Sequence, residues 1–173
     1  MKLYNDSKNK HQLESVSIRS LKQEDYSVLK DFLYEAIFIP DGVTPPPNDI
    51  IYNPELKLYY EDFGKGKSDY GFVACKDDKI IGAVWVRIMN DYGHIDDDTP
   101  SFAISLYKEY RGMGIGTALM DRMLRHLKNE GYKKASLAVQ KANYAVRMYE
   151  KLGFKTVDEN EEEFIMVYEL NEM

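Results

Sequence analysis

The chain has 173 residues, 44% of them hydrophobic and 30% charged, enough to bury a core without disulfides or a structural metal, and no apolar run reaches the roughly 18 residues a membrane span needs. With 23 basic against 29 acidic residues the net charge of -6 leaves little attraction to nucleic-acid phosphates; mild acidity suits a cationic partner, but it is also ordinary for a cytosolic protein. The opening residues lack the apolar stretch of a secretory signal and the lone Cys75 has no internal disulfide partner, so a cytoplasmic, single-domain protein over 1–173 is expected, with 1–14 a flexible N-terminal segment.

In chain order, residues 15–21 alternate apolar and polar as a strand does, and Gln23 to Ile37 follows with helical spacing. Ile39 to Asn48 is rich in proline and reads as a loop, one suited to lining a substrate entrance. Pro54 to Phe63 reads as a short helix and Gly64 to Ser68 as a connection. Asp69 to Cys75 and Lys79 to Met89 form a predicted hairpin around Lys76-Asp77-Asp78-Lys79. A polar turn, Asn90 to Thr99, leads into a strand from Ser101 to Tyr107. Gly114 to Glu130 is a long amphipathic helix, ended by Gly131. Lys134 to Gln140 reads as a strand, Asn143 to Leu152 as a helix between an Asn143 N-cap and Gly153, and Phe164 to Leu170 as a final strand; Asp158 to Glu163 is an acidic run. The order implies an α/β (α+β) fold, a mixed sheet with helices packed on it.

The most informative stretch is Tyr107 to Thr117, Tyr-Lys-Glu-Tyr-Arg-Gly-Met-Gly-Ile-Gly-Thr, a glycine-rich turn between a strand and an amphipathic helix. Closely spaced glycines let backbone N–H groups converge on an anion, and the helix adds its free N-terminal donors and the positive end of its dipole. A pyrophosphate fits such a cradle, and Arg111 would add a charge-assisted contact. A P-loop is excluded because Gly116 is followed by Thr117 and Ala118 rather than Lys and Ser or Thr, and the dinucleotide fingerprint because the third glycine is missing at either register.

Arg111, Gly114 and Gly116 resemble the Gln/Arg-x-x-Gly-x-Gly/Ala signature of the GNAT acetyltransferase superfamily. Asn143 to Phe154 resembles that family's Asn-x-x-Ala-x-x-x-Tyr-x-x-x-Gly-Phe helix, with Ala145 standing one place early. The likeness covers roughly Ser101 to Phe154. It implies a mixed, mainly antiparallel central sheet flanked by helices, acetyl-CoA as cosubstrate with no metal, and direct attack by an amine. It further implies that Leu106, Tyr107 and Lys108 pair with the pantetheine arm. Arg111, Gly112, Met113, Gly114, Ile115, Gly116 and Thr117 would then hold the pyrophosphate, with Asn143 beside the pantetheine. The Leu106 N–H becomes the oxyanion donor and Tyr149 the acid that protonates the thiolate, as a phenol is protonated at neutral pH. Tyr149 also lies on the apolar face of its helix, where it would pack as core.

Family members that use a carboxylate base often carry it on the strand before the glycine turn, and here Thr99 to Tyr107 contains none. Asp98 and Glu35 are the nearest candidates, with deprotonation through water a third route. His94 beside Asp96, Asp97 and Asp98 reads as a solvated turn in preference to metal ligands; His11 and His126 read as surface, and Cys75 as a small apolar strand residue. The expected acceptor is a small-molecule or peptide amine, and neither nucleic acid nor membrane is expected as a partner. Tyr34, Tyr52, Tyr59 and Tyr60 are expected to shape its site. The alternative is a non-catalytic domain that binds acyl-CoA and signals its level; the resemblance also allows a homodimer.

Overall fold

The computed structural model describes residues 15–172, so the expected N-terminal segment and His11 lie outside the described residues. Seven strands, β1 (Val16–Ser20), β2 (Tyr70–Lys76), β3 (Lys79–Arg87), β4 (Ser101–Leu106), β5 (Lys134–Gln140), β6 (Lys155–Glu159) and β7 (Glu163–Glu169), form one sheet in the order β1-β2-β3-β4-β5-β7-β6. Neighbours are antiparallel except β4 and β5, which run parallel and are paired only at Ser101 and Ser136. On one face α3 (Ile115–Asn129) and α4 (Ala145–Leu152) cover a core of Phe72, Val84, Leu119, Met123, Leu137 and Met166; on the other, α1 (Val28–Ala36) packs Leu29, Phe32 and Leu33 against Val73, Ala83 and Trp85. The mixed, mainly antiparallel sheet flanked by helices is the fold class that the sequence implies.

Local chemistry explains the boundaries. Asp77 and Asp78 both take positive φ, 51° and 61°, which a two-residue hairpin turn requires. The helix expected from Gln23 starts late: Asp25 accepts from Arg19 at 2.7 Å and from the Lys22 N–H at 2.9 Å, closing a separate turn before α1. The helix expected over Pro54 to Phe63 is only α2 (Pro54–Lys57). Its would-be continuation gives its carbonyls to the sheet, Tyr59 to Trp85 Nε1 at 2.9 Å, and Leu58 and Glu61 to Arg87 at 3.0 and 2.8 Å.

Strand β6 has no counterpart in the sequence reading. All five of its residues are exposed, so it lacks the buried face that produces alternation, and the ladder to β7 is what makes it a strand. His126, read as surface, is half-buried, stacked on Tyr70 at 3.8 Å between ring centroids and edge-on to Phe72.

Candidate active site

A cavity of about 790 Å³ lies where β4 and β5 part. On β4 it is lined by Phe102, Ile104 and Leu106 and also by Ala103 and Ser105; on β5 by Leu137 and Val139 and also by Ala138 and Gln140. Successive strand residues point to opposite faces of a sheet. A cavity lined by both sets therefore passes through the sheet, with one mouth on the face of α3 and α4 and the other on the face of α1.

The first mouth holds the glycine turn. Gly112 and Gly114 have φ of 76° and 85°, and a Cβ on either would meet nothing within 4 Å, so the cradle is open where side chains would otherwise fill it. The first N–H bonded along α3 is that of Ala118, to the Gly114 carbonyl. Among the described residues no side chain caps the helix, and no acid stands in its first turn, so its leading donors and dipole face the cavity. Lys108 and Thr117 line the same end. Tyr107, Met113 and Ile115 do not: Tyr107 packs on Phe32 at 4.9 Å, Ile115 is core, and Met113 packs against that core.

Leu106 offers a free N–H at the cavity's edge. Tyr107 N–H donates to Ile81 at 3.0 Å, which makes that pair hydrogen-bonded in the β3–β4 ladder. Pairs alternate, so Leu106 opposite Gly82 is a non-bonded pair whose N–H and C=O point away from β3, toward β5. The Leu106 carbonyl accepts from Arg111 Nε at 3.0 Å, while β5 has already diverged from the N–H.

Tyr149 is held by two contacts. The Phe154 N–H closes the end of α4 on the Tyr149 carbonyl at 3.0 Å, around Gly153 at φ 116°, and the Phe154 ring stands edge-on to the phenol at 5.9 Å. The side chain is 7% exposed, yet its hydroxyl makes no hydrogen bond among the described residues. Since no fully buried polar side-chain atom lacks a partner there, that hydroxyl opens into the cavity that Tyr149 lines. Burial pushes its pKa well above the ordinary phenol value, which keeps the proton on. Asn143, also lining the cavity, accepts the Ala145 N–H at 2.9 Å and so satisfies the first donor of α4 from two residues ahead of it, while Tyr144 occupies the N-cap position.

The candidate bases fare differently. Asp98 is exposed in the 96–99 turn, away from the cavity, and its N–H donates to Asp96. Glu35 lines the cavity but is paired with Arg111 at 3.2 Å. Arg111 Nε and Nη2 are thereby engaged by Leu106 and Glu35, while Arg111 itself also lines the cavity. His94 binds the Met89 carbonyl at 3.0 Å, and among the described residues no three His, Cys, Asp or Glu side chains converge as metal ligands. Cys75 is half-buried.

The second mouth is lined by Tyr34, Pro45, Leu56, Tyr59 and Glu163. The proline-rich loop thus does border the cavity, tied down by Tyr34 donating to the Pro46 carbonyl at 2.6 Å. Tyr52 and Tyr60 stand outside it, with Lys30 over both rings at 5.5 Å. At the vertex of the gap Asp91 accepts from Tyr59 at 3.0 Å and Ser101 at 3.3 Å, and Ser136 donates to the Gly93 carbonyl at 2.8 Å. Tyr144, Met148 and Glu163, which also line the cavity, are among the residues that the sequence alone does not single out. Helical periodicity places Met148 on the same stripe of α4 as Ala145 and Tyr149; Glu163 is disguised by the acidic run it ends.

The family model for the acetyltransferase (GNAT) family matches residues 33–154. The N-alpha-acetyltransferase of Saccharolobus solfataricus is 34% identical over 116 residues, 60% of this chain and 68% of its own. An acetyltransferase of Pectobacterium atrosepticum is 31% identical over 145 residues, 83% of this chain and 90% of its own. Among solved structures, the PaiA N-acetyltransferase of Thermoplasma acidophilum, determined in complex with coenzyme A, superposes with a TM-score of 0.66 over 90% of this chain and 99% of its own, at 22% identity. With a match over most of its length and two relatives above 30% identity, the chain belongs to the acetyltransferase (GNAT) family and is an acyltransferase.

Proposed function

We propose that this protein transfers the acetyl group of acetyl-CoA to a primary amine by direct attack, with both substrates bound at once. The observation that carries this reading is the cavity through the sheet, because two reactants that enter from opposite faces meet at the gap between β4 and β5 without a covalent relay. The glycine cradle and the N-terminus of α3 suit the pyrophosphate, and the free edge of β4 suits the amide-bearing pantetheine arm. The Leu106 N–H then faces the oxygen on which charge develops, and the Tyr149 phenol supplies the departing sulfur with a proton. Nothing in this arrangement calls on Cys75.

The acceptor enters from the α1 face, where Tyr34, Leu56, Pro45 and Tyr59 present an aromatic and apolar wall. Relatives named for acetylating α-amino groups make peptide N-termini the first acceptors to try. The test is thiol release from acetyl-CoA against peptides with free N-termini, lysine peptides with blocked N-termini, polyamines and amino sugars. Turnover on one class is expected. Tight acetyl-CoA binding without turnover on all of them would overturn transfer in favour of a domain that only binds acyl-CoA.

A further inference from the structure

The two ends of the cavity differ in charge. The α3 mouth has Lys108 and the positive end of a helix, whereas the α1 mouth has a carboxylate. Two carboxylates line the cavity among the described residues, Glu35 and Glu163. Glu35 is neutralised by Arg111. The Glu163 side chain has neither an ion pair nor a hydrogen bond to any described residue, and Lys141, one residue along from its ladder partner Gln140, is taken by Glu159 at 2.8 Å.

Register fixes where Glu163 points. It stands opposite Gln140 and shares a face with Ile165, Ala138 and Ser136; that is the face of α1, since the alternate residues Leu137, Val139, Phe164 and Met166 belong to the core under α3 and α4, and Ser105, on the same face of β4 as Ser101, donates to the Phe32 carbonyl of α1. Its neighbours Glu161 and Glu162 are exposed, but Glu163 is half-buried, so it is not one more solvated member of the acidic run. The hydroxyl of Tyr149, a side chain nine-tenths buried and aimed into the same cavity without a hydrogen-bond partner among the described residues, independently marks that space as one meant for a polar ligand.

We propose that Glu163 receives the acceptor: its carboxylate binds the protonated amine that enters through the α1 mouth and takes the proton the amine must lose before it can attack. This assignment rests on the acetyl-transfer reading above. A protonated amine has no lone pair to offer, so one N–H bond breaks and the proton passes to the Glu163 carboxylate. The freed pair forms the C–N bond to the thioester carbon while the C=O π pair moves onto oxygen. When the carbonyl re-forms, the C–S bond breaks, sulfur leaves with the bonding pair and takes the Tyr149 proton, and the surplus proton on nitrogen returns to the Tyr149 oxygen. One proton remains on Glu163 and is shed to water, which balances the reaction. Burial, then the adjacent Glu162 and Asp91 carboxylates, raise the Glu163 pKa above the ordinary carboxylate value, the direction that suits a base working near neutrality. Tyr59, which faces the same acids, donates its hydrogen bond to Asp91 and leaves Glu163 to the substrate.

Glu163→Gln keeps the size and removes the base. Thiol release with benzylamine, protonated at neutral pH, is expected to fall about 10²-fold in this variant, while release with hydroxylamine, which is unprotonated there, changes little. Glu163→Asp is expected to fall between wild type and Gln, and acetyl-CoA affinity measured by calorimetry to stay unchanged in both, since the cosubstrate sits at the other mouth. An equal loss with both amines, or no loss with either, would overturn the assignment and leave acetyl transfer standing. Wild-type protein that acetylates neither amine, nor any member of the panel above, overturns acetyl transfer itself and this assignment with it.

Discussion

Arg111 and Glu35, 76 positions apart, are each other's partner: Arg111 Nη2 donates to both the backbone carbonyl and the carboxylate of Glu35, at 3.1 and 3.2 Å. The same guanidinium donates to the Leu106 carbonyl through Nε at 3.0 Å. One side chain thereby fastens the end of α1 and the glycine turn to the end of β4, on opposite faces of the sheet.

Arg111→Lys keeps the charge but loses the fork that reaches both carbonyls. Unfolding by denaturant is expected to show a loss of about 1–2 kcal/mol, since these are charge-assisted bonds at a partly covered site. The KM for acetyl-CoA should rise several-fold with a smaller change in kcat, because the cradle loses its anchor and the chemistry does not. A kcat effect larger than the KM effect would mean that Arg111 acts on the reacting atoms.

Tyr149→Phe removes a hydroxyl that the fold does not use. Thermal stability is expected to be unchanged or slightly raised, and acetyl-CoA affinity unchanged, while turnover falls by about 10²-fold or more. Unchanged turnover would return Tyr149 to the core and nothing else.

Gly114 and Gly116, two residues apart, should respond to alanine with opposite signs. Gly114 holds φ 85°, where a Cβ is strained whatever the space, so Gly114→Ala is expected to cost about 1–2 kcal/mol. Gly116 is helical and a Cβ there meets Met148 Sδ at 3.6 Å and Leu106 Cδ1 at 3.8 Å, ordinary contacts; Gly116→Ala is expected to stabilise by up to about 1 kcal/mol. Each kcal/mol corresponds to about 2–4 °C in Tm for a chain of this size.

Asp91 closes the vertex of the gap, and burial holds its pKa above the ordinary carboxylate value. Asp91→Ala strands the hydroxyl of Tyr59 and one bond of Ser101, at an expected cost of about 1–3 kcal/mol. Asp91→Asn retains an acceptor and should recover part of it. Equal losses in the two variants would show that the bonds at the vertex contribute nothing.

Burial against Tyr70 and Phe72 depresses the His126 pKa below 6.5, partly offset by Glu130. The unfolded chain therefore takes up this proton first, so the contribution is whole above pH 6.5 and lost as pH falls through 6.5 toward the folded pKa. His126→Phe keeps a ring in the stack without the titration. Between about pH 7.5 and about pH 5.5 its Tm should drop less than that of the wild type; carboxylates that titrate lower affect both proteins alike. An identical drop would remove His126 from the pH response.

The features legible from the residues alone are those whose causes are local. Gly112, Gly114 and Gly116 before an amphipathic helix, Asn143 and Gly153 at the ends of α4, and Asp77-Asp78 in the hairpin each declare themselves because backbone conformation and periodicity act within a few residues. Features that depend on partners far along the chain emerge with folding. The free Leu106 N–H follows from the alternation of a ladder with β3 and the departure of β5; the pairing of Arg111 with Glu35 joins residues 76 positions apart; β6 exists only through β7. Glu163 is set apart from Glu161 and Glu162 by its register with Gln140, because burial and facing direction are properties of the folded sheet and not of an acidic run.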